Sequence, residues 1–195
     1  MSLKESNEIT VKIKCDLNEF YKILEEKGFK ITHRFSMDDV FFVPKTLNLK
    51  EMTIREILAK AILVRDIIGK TSGKRTKKLT FKIKNFDASG NILCQEAISC
   101  EILDIEDAKK FLKSIGYKEI MEIYEDDIVY EKDGFEIAVK NIRDGDNLFE
   151  IETSDSEEYN TIEKLIKKIN ELELPIYTDN YFVKKAEVEL EKIIR

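Results

Sequence analysis

Two periods of apolar spacing divide this chain into strands and helices. Period two marks strands. Ile9, Val11 and Ile13 alternate with Glu8, Thr10 and Lys12, and Leu79-Thr80-Phe81-Lys82-Ile83-Lys84 alternates in the same way. So does Phe149-Glu150-Ile151-Glu152. Period 3.6 marks helices: Ile162, Leu165, Ile166, Ile169 and Leu172 form one stripe that stops before Pro175. A final amphipathic helix is predicted from near Asn180. Turn chemistry fills Asp87-Ala88-Ser89-Gly90-Asn91 and Arg143-Asp144-Gly145-Asp146-Asn147.

The same elements recur. Asp16 opens a helix that closes at Gly28, and Asp104 opens one that closes at Gly116, with equal spans. Each Asp suits the N-cap and each Gly the left-handed position past the C-cap. Ten residues after each Gly a matching strand begins, Asp38-Asp39-Val40-Phe41-Phe42 and Asp126-Asp127-Ile128-Val129-Tyr130. Ile83-Lys84-Asn85-Phe86 and Val139-Lys140-Asn141-Ile142 form a further pair. The pattern predicts two β-α-β-β-β halves. The first half carries an insertion after Val43, with a short helix predicted over 52–60 and a strand over 61–68. The apolar face is Ile9, Val11, Ile13, Cys15 in the first half but Ile98, Cys100, Ile102 in the second, and a one-residue bulge before Asp104 would reconcile them.

Composition narrows the possibilities. A chain of 195 residues, 43% hydrophobic and 37% charged, describes one ordinary globular domain over 1–195. No apolar run approaches the roughly 20 residues of a membrane span, and the N-terminus lacks a secretory signal. The three cysteines, Cys15, Cys94 and Cys100, have no metal-ligand spacing, which argues for a reducing, cytoplasmic setting and against disulfides or zinc. Cys94 and Cys100 read as small core residues. A net charge of −6 argues against nucleic acid as a partner, so any anion must be held by basic residues gathered locally.

The polar strand faces carry short sets of mixed sign: Glu8, Thr10, Lys12; Lys82, Lys84; Glu150, Glu152. Alternation alone favours an open sheet with a solvated polar face. In a rolled sheet with helices outside, the same faces would line a lumen, where carboxylates hold a hard divalent cation and lysines take phosphate charge.

Five short segments, in order, resemble motifs of the CYTH superfamily, which includes class IV adenylate cyclases and thiamine triphosphatases. Glu8-Ile9-Thr10-Val11-Lys12 resembles its N-terminal Glu-x-Glu-x-Lys signature, and Asp39-Val40-Phe41-Phe42 its Asp-x-Tyr-Phe strand. Ala61-Ile62-Leu63-Val64-Arg65 is similar to its Ala-Leu-Arg-Ile-Arg strand, and Leu79-Thr80-Phe81-Lys82 to its Leu-Thr-Tyr-Lys strand. Phe149-Glu150-Ile151-Glu152 is similar to its Glu-Ile-Glu strand. The resemblance implies an α+β fold: an eight-stranded antiparallel β tunnel or barrel with helices packed outside. It also implies a triphosphate-containing small molecule as ligand and Mg²⁺ or Mn²⁺ as cofactor. On that basis Glu8, Glu150 and Glu152 are the metal candidates, and Lys12, Arg65, Lys82 and Lys84 the phosphate-binding ones. Lys12 and Lys82 are the catalytic candidates.

The departures are as informative. Thr10 stands where the signature has its second glutamate, and Leu63 where the strand has its first arginine. Ala97 and Ser99 stand in place of an acidic pair, and Tyr124, Glu125 and Asp127 in place of a basic cluster. Lys140 stands in place of an aspartate, so Asp127 and Lys140 invert the family's charges and are expected to face each other. Three functions remain: a metal-dependent triphosphate hydrolase, an adenylate cyclase making cyclic AMP from ATP, or a non-catalytic nucleotide or polyphosphate binder. No sequence feature identifies a purine pocket, and a monomer and a homodimer are both compatible with the chain.

Other features carry less. Gly69-Lys70-Thr71-Ser72-Gly73-Lys74-Arg75 falls one residue short of a P-loop and lacks Ser/Thr after its lysine, so it is predicted as a hairpin loop. His33 has no triad or metal partner nearby in sequence and is placed at a strand surface. In Asp38-Asp39 and Asp126-Asp127, adjacent side chains point to opposite faces, so only one of each pair can reach a shared site.

Overall fold

Asp16 and Asp104 start the two helices that the repeat predicts. In a computed structural model, which describes residues 8–86, 92–154 and 156–194, Asp16 accepts a hydrogen bond from the Asn18 amide at 2.8 Å. Asp104 accepts one from the Asp107 amide at 3.0 Å. They cap α1 (Leu17–Glu26) and α3 (Ile105–Ser114). Both helices end at a glycine in the left-handed region, φ +88° at Gly28 and +92° at Gly116. After α1 the Phe29 amide donates to Leu24 and the Gly28 amide to Glu25, closing a Schellman motif.

The strands are β1 (Glu8–Lys12), β2 (Lys30–Pro44), β3 (Ile62–Gly69), β4 (Arg75–Phe86), β5 (Ile92–Glu101), β6 (Tyr117–Lys132), β7 (Phe135–Ile142) and β8 (Asn147–Glu152). They form one antiparallel sheet in the order β1-β8-β7-β6-β2-β3-β4-β5. Exchanging each strand for the one four places on, and reading backwards, returns the same order. That is the duplication seen in the sequence, now in topology. The order runs from β1 to β5, and among the described residues hydrogen bonds do not close it into a ring. The insertion forms one 3-10 turn and α2 (Ile54–Leu58), shorter than predicted, with a Thr53/Glu56 capping box. The turn predicted at 87–91 lies outside the described residues.

The described residues make two compact units, one drawn from Ser36–Tyr124 and Lys185–Arg195, the other from Ser6–Phe35 and Glu125–Lys184. In the second, the β1–β8 unit, the apolar strand faces of Ile9, Val11, Ile137, Val139, Phe149 and Ile151 pack with α1 and α4 (Ile162–Glu171) through Phe20, Leu24, Leu165 and Ile169. In the first, the β3–β5 unit, Val40, Phe42 and Val64 pack with Ala108 and Leu112 of α3.

The two edge strands differ. β1 has β8 on one side, and residues 175–183 run along the other: the Thr10 amide donates to Tyr181 at 3.0 Å and the Val183 amide to Thr10 at 2.9 Å. The segment predicted to begin the last helix is therefore spent on covering an edge, and α5 starts later (Lys185–Ile194). β5 has no strand on its outer side among the described residues, and Ile98 is 55% exposed. Cys100 is exposed there too, not a core residue as expected, because β5 is the last strand of the sheet. The expected bulge before Asp104 is also absent. Pairing with β4 runs unbroken from Glu101 to Cys94, and its irregularity lies at Asn85/Phe86. The register conflict is absorbed in the connection instead: Asp16 follows Lys12 by four residues, whereas Asp104 follows Glu101 by three.

Candidate functional site

On β8, Glu150 and Glu152 share a face because one residue separates them, and Ile151 between them enters the core. β1 pairs with β8 so that Thr10 lies opposite Glu150 and Glu8 opposite Glu152. Three carboxylates are thereby gathered: Glu8, Glu150 and Glu152 each offer an oxygen within 4.8 Å of the others. The sequence had named these three as metal candidates. Carboxylate oxygens on opposite sides of one ion are about 4.2 Å apart across Mg²⁺ and up to about 5 Å across a larger hard cation. The donor set therefore suits a divalent cation in kind and in spacing.

Two further strands extend this face. Asp127 of β6 lies opposite Lys140 of β7, and Lys140 is the diagonal neighbour of Glu150 on β8. The Lys140 ammonium is 2.9 Å from Glu150 Oε1 and 4.0 Å from Asp127 Oδ2. The inverted pair does face itself, as the sequence suggested, but Glu150 is the nearer partner. Glu125 and Asp127 are 0% and 2% exposed. Burial disfavours the ammonium charge of Lys140. The charges of Glu150, Glu125 and Asp127 outweigh that and hold its pKa above the ordinary lysine value. The second oxygen of Glu150 accepts from the Thr10 hydroxyl at 3.3 Å. Thr10 thus keeps a hydrogen bond to the site in place of a carboxylate's negative charge.

Lys12 ends the same face, 2.7 Å from Asp146, with both side chains more than a third exposed. Glu8 has Lys184 at 3.7 Å. Neither partner was evident from the sequence, since both lie far along the chain or in a turn.

The other candidates belong to the β3–β5 unit. Arg65 lies opposite Lys78, and Leu63 opposite Thr80, so Arg65, Lys78, Thr80 and Lys82 share one face. The Arg65 fork closes on Asp39, with Nε 2.6 Å from Oδ1 and Nη2 2.7 Å from Oδ2, and Asp39 is 1% exposed. Thr80 and Ser99 hydroxyls are 2.9 Å apart, with Ser99 standing where an acidic residue was expected. Lys84 pairs with Gln95 in the backbone register, and its side chain lies outside the described residues. On the opposite face Asp38 meets Glu122, so only Asp39 of that acidic pair joins the polar set. At the start of β4, just past the hairpin loop, Arg75 turns back onto Asp66, with Nε 2.9 Å from Oδ1. His33 is exposed on β2.

No family model matches the chain. A protein of Methanocaldococcus jannaschii named "Putative adenylate cyclase" is 25% identical to it over 94% of this chain and 97% of its own length. Among solved structures, the PH1819 protein of Pyrococcus horikoshii OT3 superposes with a TM-score of 0.66 at 20% identity, covering 95% of this chain and 99% of that one. A Hippeastrum protein named "Putative adenylyl cyclase", and described as having a dominant triphosphatase activity, superposes with a TM-score of 0.54 at 14% identity, over 95% and 96%. Full-length likeness, fold and the ordered motifs agree. The chain shares the fold of these proteins, in keeping with the resemblance of its motifs to the CYTH superfamily. No described helix is long and apolar enough to cross a membrane.

The departures from the motifs that the chain resembles fall into a pattern. On the β1–β8 unit's polar face, acids at Glu125 and Asp127 replace expected bases, and a base at Lys140 replaces an expected acid. Of these, Asp127 and Lys140 face each other, 4.0 Å apart, and the charge of Glu125 also acts on Lys140.

Proposed function

We propose that this protein is a metal-dependent triphosphate-binding protein that hydrolyses an inorganic or organic triphosphate, acting as a single domain, monomeric or homodimeric, in the cytoplasm. The observation that carries the reading is the gathering of Glu8, Glu150 and Glu152. The three would hold Mg²⁺ or Mn²⁺, whose chemistry is to neutralise phosphate oxygens and polarise the bond to be broken. Lys12, at the end of the same face, binds phosphate oxygens after exchanging Asp146 for them. Arg65, Lys82 and Lys84, on the β3–β5 unit, are the other phosphate-binding candidates by the same resemblance, and phosphoryl transfer asks chiefly for positioning and charge neutralisation. The triphosphatase activity described for the Hippeastrum protein supports this reading. The names of that protein and of the archaeal relative favour ATP cyclisation as the alternative chemistry.

A second reading, binding without turnover, is favoured by one observation. The guanidinium of Arg65 is forked onto Asp39 and the ammonium of Lys140 sits on Glu150, so two cations of the polar faces already meet acids.

A triphosphate panel with Mg²⁺ or Mn²⁺, assayed for phosphate, pyrophosphate and cyclic nucleotide, tests these readings. Metal-dependent phosphate release that falls at least about tenfold in Glu150→Gln is expected. Saturable tripolyphosphate binding without product selects the binder, and cyclic nucleotide selects the cyclase. Binding that is equal with and without metal, in the wild type and in Glu150→Gln, refutes the metal reading.

A further inference from the structure

The carboxylates on the β1–β8 unit's polar face fall into two groups that share one member. Glu8, Glu150 and Glu152 form the first. Glu150 and Asp127 form the second, and it already has a cation between them, the Lys140 ammonium at 2.9 and 4.0 Å, on which the charge of Glu125 also acts. Glu150 bridges the two, giving Oε1 to Lys140 at 2.9 Å and Oε2 to the Thr10 hydroxyl at 3.3 Å. A carboxylate shared between neighbouring cations is the arrangement of two-metal sites, whose ions lie about 3.5–4 Å apart. Here one of the two positions is filled by a side chain.

We propose that Lys140 is a built-in counter-ion that takes the place of a second divalent cation, so that the site loads one metal per chain, and that Lys140 fixes Glu150 for that metal. The proposal rests on the metal reading of Glu8, Glu150 and Glu152 given above. Three features support it. Lys140 is anchored on β7 opposite Asp127, so its ammonium is held between β6 and β8 by register and not by a flexible loop. Its partners Glu125 and Asp127 are buried, so their charge is met locally by this ammonium more than by water. The trio is more open, with Glu8 and Glu150 half-buried and Glu152 exposed, so an ion from solution reaches it directly. A dication entering the second group would have to displace Lys140 or sit against its positive charge. Lys140 is therefore a positioning residue, acting on ligand through Glu150.

Mn²⁺ titrated into the full-length chain, with free ion read by its paramagnetic resonance signal, counts bound ions without any turnover. The wild type is expected to bind one ion, Lys140→Arg one, and Lys140→Ser two. Asp127→Asn should leave the count at one and the affinity within about twofold, whereas Glu150→Gln should weaken binding at least about tenfold. Two ions in the wild type, one ion in a folded Lys140→Ser, or loss of the ion in Asp127→Asn each overturn the Lys140 inference and leave the metal reading standing. No bound ion in the wild type removes the metal reading and the inference together. Should Lys140→Ser fail to fold, Lys140→Ala and Lys140→Gln take its place, and one ion in whichever of them folds overturns the inference.

Discussion

Removing Arg65 is expected to cost more stability than removing Asp39, although the two form one ion pair. The fork is bidentate at 2.6 and 2.7 Å, and the carboxylate is 1% exposed while the Arg65 side chain is 21% exposed. Breaking a buried pair costs about 3–5 kcal/mol because the remaining charge keeps its desolvation penalty. In Arg65→Met that charge is the Asp39 carboxylate, almost out of reach of water, so the cost belongs near the upper end, about 4–5 kcal/mol. In Asp39→Ala the guanidinium already reaches solvent and rehydrates in part, which lowers the cost to about 2–3 kcal/mol. The double variant Asp39→Val/Arg65→Met removes both charges and should return to within about 1–2 kcal/mol of the wild type. Urea unfolding at pH 7.5, followed by far-ultraviolet circular dichroism with unchanged m-values, measures all four proteins. An Asp39→Ala cost equal to or above that of Arg65→Met, or a double variant as unstable as the worse single one, refutes this account of the pair.

Three other outcomes are expected. Burial, followed by the charge and hydrogen bond of Glu122, pushes the Asp38 carboxyl up to about 6, against the opposing Lys109 and with a smaller push from Asp39. A raised carboxyl pKa makes the folded state bind the extra proton, so stability falls as pH rises from about 4 through about 6. Asp38→Asn should thus stabilise at pH 7.5, by about 1 kcal/mol after allowing for solvent screening at this half-buried site, and the gain should vanish near pH 4; a gain that grows on acidification contradicts the sign. Phe149→Ala empties a fully buried site that meets Phe20 edge-on at 6.0 Å, and calorimetric unfolding should show a loss of about 3–5 kcal/mol. Gly28→Ala and Gly116→Ala place a Cβ in the left-handed region but against only an ordinary contact with Lys132 or open space, so each should cost about 1–2 kcal/mol and the two should match in denaturant midpoint shift.

Much of the fold was legible because it rests on local chemistry. Asp16 and Gly28, like Asp104 and Gly116, fix helix ends with groups a few residues apart, and alternation fixes which strand face is buried. Glu150 and Glu152 were legible as a pair for the same reason, since a spacing of two on a strand sets their direction. What could not be read depends on register between distant strands. Lys12 meets Asp146, Arg65 meets Asp39 and Lys140 meets Glu150 because of pairings that no window of sequence contains. The exposure of Cys100 followed from sheet order, because the same apolar alternation is buried in a covered strand and bare at an edge. The start of α5 was missed because Tyr181 and Val183 hydrogen-bond to Thr10, a long-range competitor to helix formation.

The pairing of β1 with β8 also sets an order of events during synthesis. Glu8 lies opposite Glu152, so the partner is made 144 residues later, which at ribosomal speeds of about 5–20 residues per second means a wait of about 7–30 s. The segment that covers the other side of β1, residues 175–183, emerges later still. Through that interval Ile9 and Val11, both 0% exposed in the finished protein, have neither of their flanking strands. A chain stalled before Asn147 leaves the apolar faces of β1 and α1 without Phe149, Leu165 and Ile169, a natural target for a chaperone that holds apolar segments. Of the eight strands of this sheet, the one made first is the last to be secured.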